Sequence, residues 1–345
     1  MGGLGLTLHL LLLLFALVAA VTLTGAIYQW IGAAKDRRRF PAPGRLIDAA
    51  GAQLHIHLTG QGSPPVVFEA GIAATSLSWR LVESETARFT TAVCYDRAGL
   101  GWSGAPSGPR DVWHLVEELR ALLDKADISL PRILVAHSYG ALIARAYAAR
   151  YKSEVAGIVL VDPVPASQWS HPSAHNRKML GQGIVMSRFG AVLARLGLVR
   201  FALNRASSGS RALPQSIARA TSGGAGLAFI ERMIGQIRKL PAELLPVIQS
   251  HWCDPRCFDS MARYLEALPA NAAAVEALLV EVPLRILSAE DSSPAQREDH
   301  RQLAERSASG EIEVVPGAGH WIQLDRPDVV TSAIRSLRAE ISATS

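Results

Sequence analysis

The hydrophobic pattern of the chain changes period twice. Leu4 to Ile31 contains no Asp, Glu, Lys or Arg, and Leu8 to Val21 is dense in Leu, Ala and Val. Such a run is longer than the roughly 20 residues needed to cross a bilayer as a helix. A Pro/Gly linker, Phe40 to Arg45, follows. Short β-branched runs then alternate with segments of helical period. Arg45–Leu58 reads as a hairpin around Ala50-Gly51, and Pro65–Ile72 and Thr91–Asp96 read as buried strands. Val112–Ala126 carries Leu115, Leu119 and Leu122 on one stripe behind the capping residue Asp111. Ile133–His137 is a strand leading into the helix Ala141–Arg150, and Val155–Val161 is another strand. The pattern lapses after Val164 and resumes at Val282–Ser288 and Glu311–Pro316.

Strands alternating with helices predict the α/β class, a mostly parallel sheet with helices on both faces. Sites in such sheets form at the carboxyl ends of strands. Gly71, Asp96-Arg97, Ser138 and Asp162 all fall at such ends. The lapse between Val164 and about Ala270 reads as several helices inserted as a cap. The expected division is an anchor at 1–34, a basic linker at 35–44, a first core part at 45–163, a cap at 164–270 and a second core part at 271–345.

Charge refines the N-terminal reading. Met1 to Leu10 has no Lys or Arg, unlike the positive start of a signal peptide. Lys35, Arg37, Arg38 and Arg39 follow the apolar run, with Tyr28 and Trp30 at the place of an interfacial aromatic belt. The expectation is a single-pass anchor with the following domain on the cytoplasmic side; secretion after cleavage is the alternative. Leu6 stands where myristoylation needs Ser or Thr.

Composition excludes other classes. A chain of 345 residues with 49% hydrophobic residues holds a large core. Cys94, Cys253 and Cys257 make no disulfide framework and no zinc spacing. Gly99-Leu100-Gly101 lacks the third glycine and the immediate helix of a dinucleotide turn. The net charge of +5 comes with no nucleic-acid motif. No metal or cofactor is expected. His55 and His57 share one strand face, read as solvated.

The candidate chemistry centres on Ala136-His137-Ser138-Tyr139-Gly140, a strand, a sharp turn and a helix in the manner of a nucleophile elbow, with Ala136 in place of the usual glycine. With Phe68–Ile72, Tyr95–Ser103, Leu287–Asp291 and Gly317–Asp325, the chain resembles the α/β-hydrolase fold superfamily from Arg45 to Ile341. Asp96-Arg97-Ala98-Gly99-Leu100-Gly101-Trp102-Ser103 is similar to the D-R-x-G-x-G-x-S loop of lid-bearing esterases, carbon–carbon hydrolases and epoxide hydrolases. Ala70-Gly71 replaces the usual His-Gly at the oxyanion strand.

The resemblance implies a triad in the order Ser138, Asp291, His320: nucleophile, orienting acid and general base. Asp162, at the end of the strand after the nucleophile, and Glu290, beside Asp291, are the alternative acids. The backbone N–H groups of Ile72 and Tyr139 are the expected oxyanion hole. His137 is read as structural, and Asp325 as a helix cap.

A serine nucleophile points to acyl transfer. The expected reaction is hydrolysis of a carboxylic ester of a small apolar substrate. The alternatives are a C–C bond hydrolase, an aminopeptidase or an acyltransferase on the same residues, or a non-catalytic hydrolase-fold receptor or scaffold. Pro163 to Ile230 holds no Asp or Glu but carries Arg177, Lys178, Arg188, Arg195, Arg200, Arg205, Arg211 and Arg219. Together with the span at 4–31, this basic, amphipathic stretch suggests a cap that faces anionic lipid.

Overall fold

The computed structural model describes residues 3–207, 235–307 and 309–344; Arg211 and Arg219 lie outside the described residues. The chain opens with α1 (Gly3–Arg39), a single helix. β1 (Arg45–Ala49) and β2 (Ala52–Thr59) form the expected hairpin, with Arg45 opposite Ile56. Then come β3 (Val66–Glu69), α2 (Arg80–Thr86), β4 (Ala92–Asp96) and α3 (Val112–Lys125). They are followed by β5 (Arg132–His137), α4 (Gly140–Arg150) and β6 (Val155–Val161). The eight-stranded sheet runs β1-β2-β4-β3-β5-β6-β7-β8; β7 is Leu284–Ala289 and β8 is Gly310–Val315. β1–β2 and β2–β4 pair antiparallel, and all the other pairs are parallel.

Period-two alternation sorts the strands between two apolar cores. Leu134 and Ala136 of β5, with Ile158 and Leu160 of β6, pack with Leu115, Leu119 and Leu122 of α3 and the small residues of α4. Ile133, Val135, Val159 and Val161 point the other way, onto Trp79, Val82 of α2, and Val330, Ile334 and Leu337. The last three belong to the C-terminal helix (Pro327–Thr344). Burying one such leucine contributes about 2 kcal/mol. A strand without polar residues between β-branched ones therefore settles with both faces covered.

Between β6 and β7 lie α5 (Ala166–Ser170), α6 (Ala174–Arg195), α7 (Leu198–Ser207), α8 (Leu245–Trp252) and α9 (Pro255–Glu276). α9 runs unbroken across residue 270. Its Tyr264, Leu268, Ala272 and Val275 join the core beside α3 and α4, so the insertion is fastened to the sheet by its last helix. After β7 come α10 (Pro294–Glu305), β8, α11 (Ile322–Asp325) and α12, the C-terminal helix (Pro327–Thr344).

The fold corrects one expectation on β2. His55 is fully buried, and its ring reaches from Asp96 Oδ2 (2.9 Å) to the carbonyl of Pro43 (2.6 Å). Alternation gives the shared face but not what covers it, and here Trp102 and the linker do. His57, on the same face, is half-buried and lies 3.3 Å from Glu83 Oε1.

Candidate active site

Ser138 sits at the turn between β5 and α4 with φ +52°, a left-handed conformation costly for a residue with a Cβ. Its N–H donates to the carbonyl of Val161 on β6 (3.1 Å), and its carbonyl accepts from Ala141 (3.1 Å) and Val164 (3.2 Å). Gly140 permits the turn, because a Cβ there would lie 2.7 Å from Glu69 Cγ and 2.8 Å from the carbonyl of Ala70. Ala136, where glycine is usual, is wholly buried and accommodated. The serine is only half-buried.

The carboxyl end of β6 repeats the device. Asp162 has φ +40°, and its N–H donates to the carbonyl of Leu287 on β7 (2.7 Å). One step further, the N–H of Glu290 donates to the carbonyl of Ala318 (2.9 Å). The turns that carry Ser138, Asp162 and Glu290 are thus each tied to the next strand end or its loop.

His320 lies in the turn after β8, and its Nδ1–H donates to Asp162 Oδ2 at 2.6 Å. Asp162 Oδ1 accepts from the N–H of Ala289 (3.0 Å) and the hydroxyl of Ser292 (2.9 Å). Burial opposes ionisation of this carboxyl, but the His320 contact and the two other donors outweigh it and hold its pKa down to about 2. The carboxylate that meets His320 is thus Asp162, one of the two alternatives, where the sequence led us to expect Asp291. Asp291 is exposed, in the turn after β7. Glu290 Oε2 instead accepts from the N–H of Gly317 (2.8 Å), bracing the loop that carries His320. Asp325 is not a cap; it accepts from Gly319 N–H (2.9 Å) in the same loop.

His137 lies beneath the site. Its ring is fully buried, with its centroid 4.7 Å from that of His320, and Nε2–H donates to the His320 carbonyl (2.8 Å). Burial, reinforced by the neighbouring His320, pushes its pKa down to about 3, so the ring is neutral. It supports the backbone of the other histidine.

The turn after β3, where the oxyanion hole is expected, rests on Arg97, a residue that the sequence places in a motif without a role. Arg97 is buried and pairs with Glu69, and its guanidinium donates to the carbonyls of Ala70 (2.6 Å), Gly71 and Ile72 (3.1 Å). Tyr95 also donates to Glu69. With three successive carbonyls drawn toward Arg97, the N–H groups of this turn are left for the opposite side. Gly71 comes close to the nucleophile: a Cβ on it would lie 2.8 Å from His137 Nδ1 and 3.7 Å from Ser138 Cβ. Among the described residues, neither Ile72 N–H nor Tyr139 N–H takes part in a turn or loop backbone hydrogen bond. An arginine five residues after the start of a strand carries no local sign of this reach, because its acceptors lie 25 to 28 residues earlier.

An apolar cluster borders this edge. It joins Leu77, Trp102, Trp321 and Leu324 to Leu240, Val247, Ile248 and Trp252 of the insertion.

A mostly parallel sheet covered on both faces, with a strained serine on its central elbow and a His–Asp pair that joins the turns after β8 and β6, defines the hydrolase class of α/β proteins. The chain belongs to the alpha/beta hydrolase family, whose sequence model matches residues 66–333. It is 27% identical over 316 residues to an AB hydrolase superfamily protein of Gibberella zeae, covering 84% of this chain and 93% of that protein. It is 34% identical over 134 residues to the protein YqjL of Bacillus subtilis, covering 37% of this chain and 53% of that one, about half its length. A thermophilic esterase from Thermogutta terrifontis shares the fold, with a TM-score of 0.60 and 19% identity over 86% of this chain and 98% of the esterase.

Proposed function

We propose that the protein is a membrane-anchored serine hydrolase that cleaves a carboxylic ester of an apolar substrate through an acyl-enzyme, with Ser138, His320 and Asp162 as its triad. The observation that carries this reading is the 2.6 Å contact between His320 Nδ1 and Asp162 Oδ2 at the carboxyl end of the sheet, where Ser138 sits in its strained turn. Asp162 fixes the proton on Nδ1 and leaves Nε2 with its lone pair to take the Ser138 proton. The imidazolium that forms is stabilised by a carboxylate that stays ionised, and it returns the proton to the leaving alkoxide. The N–H groups of Ile72 and Tyr139 receive the tetrahedral oxyanion. Each such donor is typically worth about 3 kcal/mol. Water, activated by the same histidine, then releases the acid.

The helices between β6 and β7 act as the cap, and the Trp- and Leu-rich cluster they share with Trp321 and Leu77 favours an apolar acyl group. α1 is the anchor: it is long, apolar as far as Ile31, and ends in exposed Arg37, Arg38 and Arg39, which keep the domain on the cytoplasmic side.

A fluorophosphonate probe and a series of p-nitrophenyl esters test the reading. The folded wild type is expected to label at Ser138 and to hydrolyse medium-chain esters faster than acetate. Absence of labelling, or labelling that survives Ser138→Ala, overturns it.

A further inference from the structure

The N-terminal helix is not a loose tether. Leu6 to Thr24 are exposed throughout, about 28 Å of helix at 1.5 Å per residue, close to the roughly 30 Å of a bilayer's hydrocarbon core. From Gly25 onward the same helix packs on the insertion. Its contact stripe, Gly25, Gln29, Gly32 and Asp36, has the 4-3-4 spacing of one helix face. A Cβ on Gly25 would lie 2.3 Å from the carbonyl oxygen of Leu196, and one on Gly32 would lie 2.5 Å from Arg200 Nε. Arg200 lies across the stripe. It donates from Nε to Gln29 Oε1 (2.9 Å) and from Nη1 to Asp36 (2.6 Å), while Gln29 Nε2 donates to the carbonyl of Cys253 (2.8 Å). Beyond the helix, Trp102 Nε1 donates to the carbonyl of Phe40 (3.0 Å), and His55 holds Pro43. From Gly25 to Asp36 the helix is therefore fixed to the insertion, and the linker that follows it is fixed to the core.

This arrangement changes which groups are available to lipid. Three of the arginines expected to face phosphate are paired with acids from other segments: Arg188 with Glu266 (2.5 Å) and Arg195 with Asp259, both on the surface, and the buried Arg200 with Asp36. Apolar side chains are exposed beside them. On α6, Phe189 and Val192 share the face of Leu196, whose backbone meets Gly25, and both are 48% exposed. On α7, Phe201 is 49% exposed; on α1, Trp30 is 70% exposed. Isolated apolar residues on a surface are ordinary, but here they lie on α1 and on α6 and α7, the helices it packs against where its apolar stretch leaves the domain.

We infer that this collar, made of Phe189, Val192, Leu198, Phe201, Ile27 and Trp30, is a lipid-contacting surface that seats the insertion in the interfacial layer of a bilayer through apolar contact rather than charge. The inference rests on α1 being a membrane span, and it adds the partner's surface and orientation. Aromatic and aliphatic side chains at headgroup depth are the usual anchors there.

The full chain in phosphatidylcholine vesicles provides the test. Phe189→Cys, Val192→Cys and Phe201→Cys are each labelled with an environment-sensitive fluorophore and quenched by lipids that carry a shallow nitroxide. Phe15→Cys, read with lipids that carry the nitroxide deep in the acyl chain because position 15 is at the middle of the 6–24 stretch, reports the span; Arg301→Cys on α10 reports the aqueous side, and the unsubstituted chain is the labelling blank. The three collar positions are expected to lose about half their emission, as interfacial groups do, equally at low and high salt, while position 301 is unaffected. Quenching at position 15 with none at the collar overturns the inference and leaves the span standing. No quenching at position 15 overturns the span, and the inference with it. Collar quenching that vanishes in high salt overturns the apolar mode of contact.

Discussion

Asp162 is the residue on which the proposed chemistry turns, and it can be separated from its neighbours by substitution. Asp162→Asn is expected to lower kcat by about 10⁴-fold, the scale seen when the orienting acid of a serine triad loses its charge. Asp291→Asn is expected to stay within about threefold of wild type, since surface substitutions away from a site perturb little. Ester turnover measured on both variants checks the pair. His137 adds a stability prediction. Its ring is held neutral down to about 3 by burial beside His320, whereas an unfolded chain takes up that proton near 6.5. Between those values the unfolded state binds more protons, so stability falls as the pH is lowered. At pH 5 the cost is about 2 kcal/mol at most. Thermal unfolding scans at pH 7 and pH 5 should show a smaller drop for His137→Gln than for wild type. The choice of Asp162 over Asp291 was not legible in the sequence, because both follow a strand into a turn. What decides it is tertiary: the turn after β6, with its positive φ, is the one that aims a carboxylate at the loop after β8.

At the level of elements, the strands, the elbow and the His320 loop were legible because their signals are local. Period-two runs, a small-residue turn and a glycine turn can each be read within ten residues. The bracing was not legible, because it joins segments far apart in sequence. Arg97 reaches back to the β3 turn, Glu290 reaches forward to Gly317, and Asp36, Asp259 and Glu266 neutralise arginines of a stretch that has no acid of its own. Arg97 carries the prediction at this scale. Lysine keeps the charge opposite Glu69 but cannot span three carbonyls from one planar fork. Arg97→Lys is expected to reduce kcat by about 10²-fold, comparable to losing one oxyanion donor, with KM changed far less. Steady-state kinetics on a variant shown by circular dichroism to be folded would check it. An unchanged kcat would mean that the turn holds its own shape.

For the whole molecule, the packing of α1 on the insertion makes stability depend on a segment outside the matched family region of residues 66–333. Gly32→Leu forces Arg200 from its place between Gln29 and Asp36 and is expected to cost about 1–3 kcal/mol, as overpacking of a close contact does. It should appear as a lower unfolding temperature in detergent and as earlier proteolytic cutting within the insertion. The order in which the chain supplies the three groups of the proposed triad has a consequence of another kind. Ser138 and Asp162 end neighbouring strands with one helix between them, and both precede the insertion; only His320 comes after it. Lengthening, shortening or exchanging the segment between β6 and β7 therefore leaves the spacing of serine and carboxylate untouched and puts a single distance at risk. A lineage can rework what lies over the site, and so what it accepts, without rebuilding the machinery underneath.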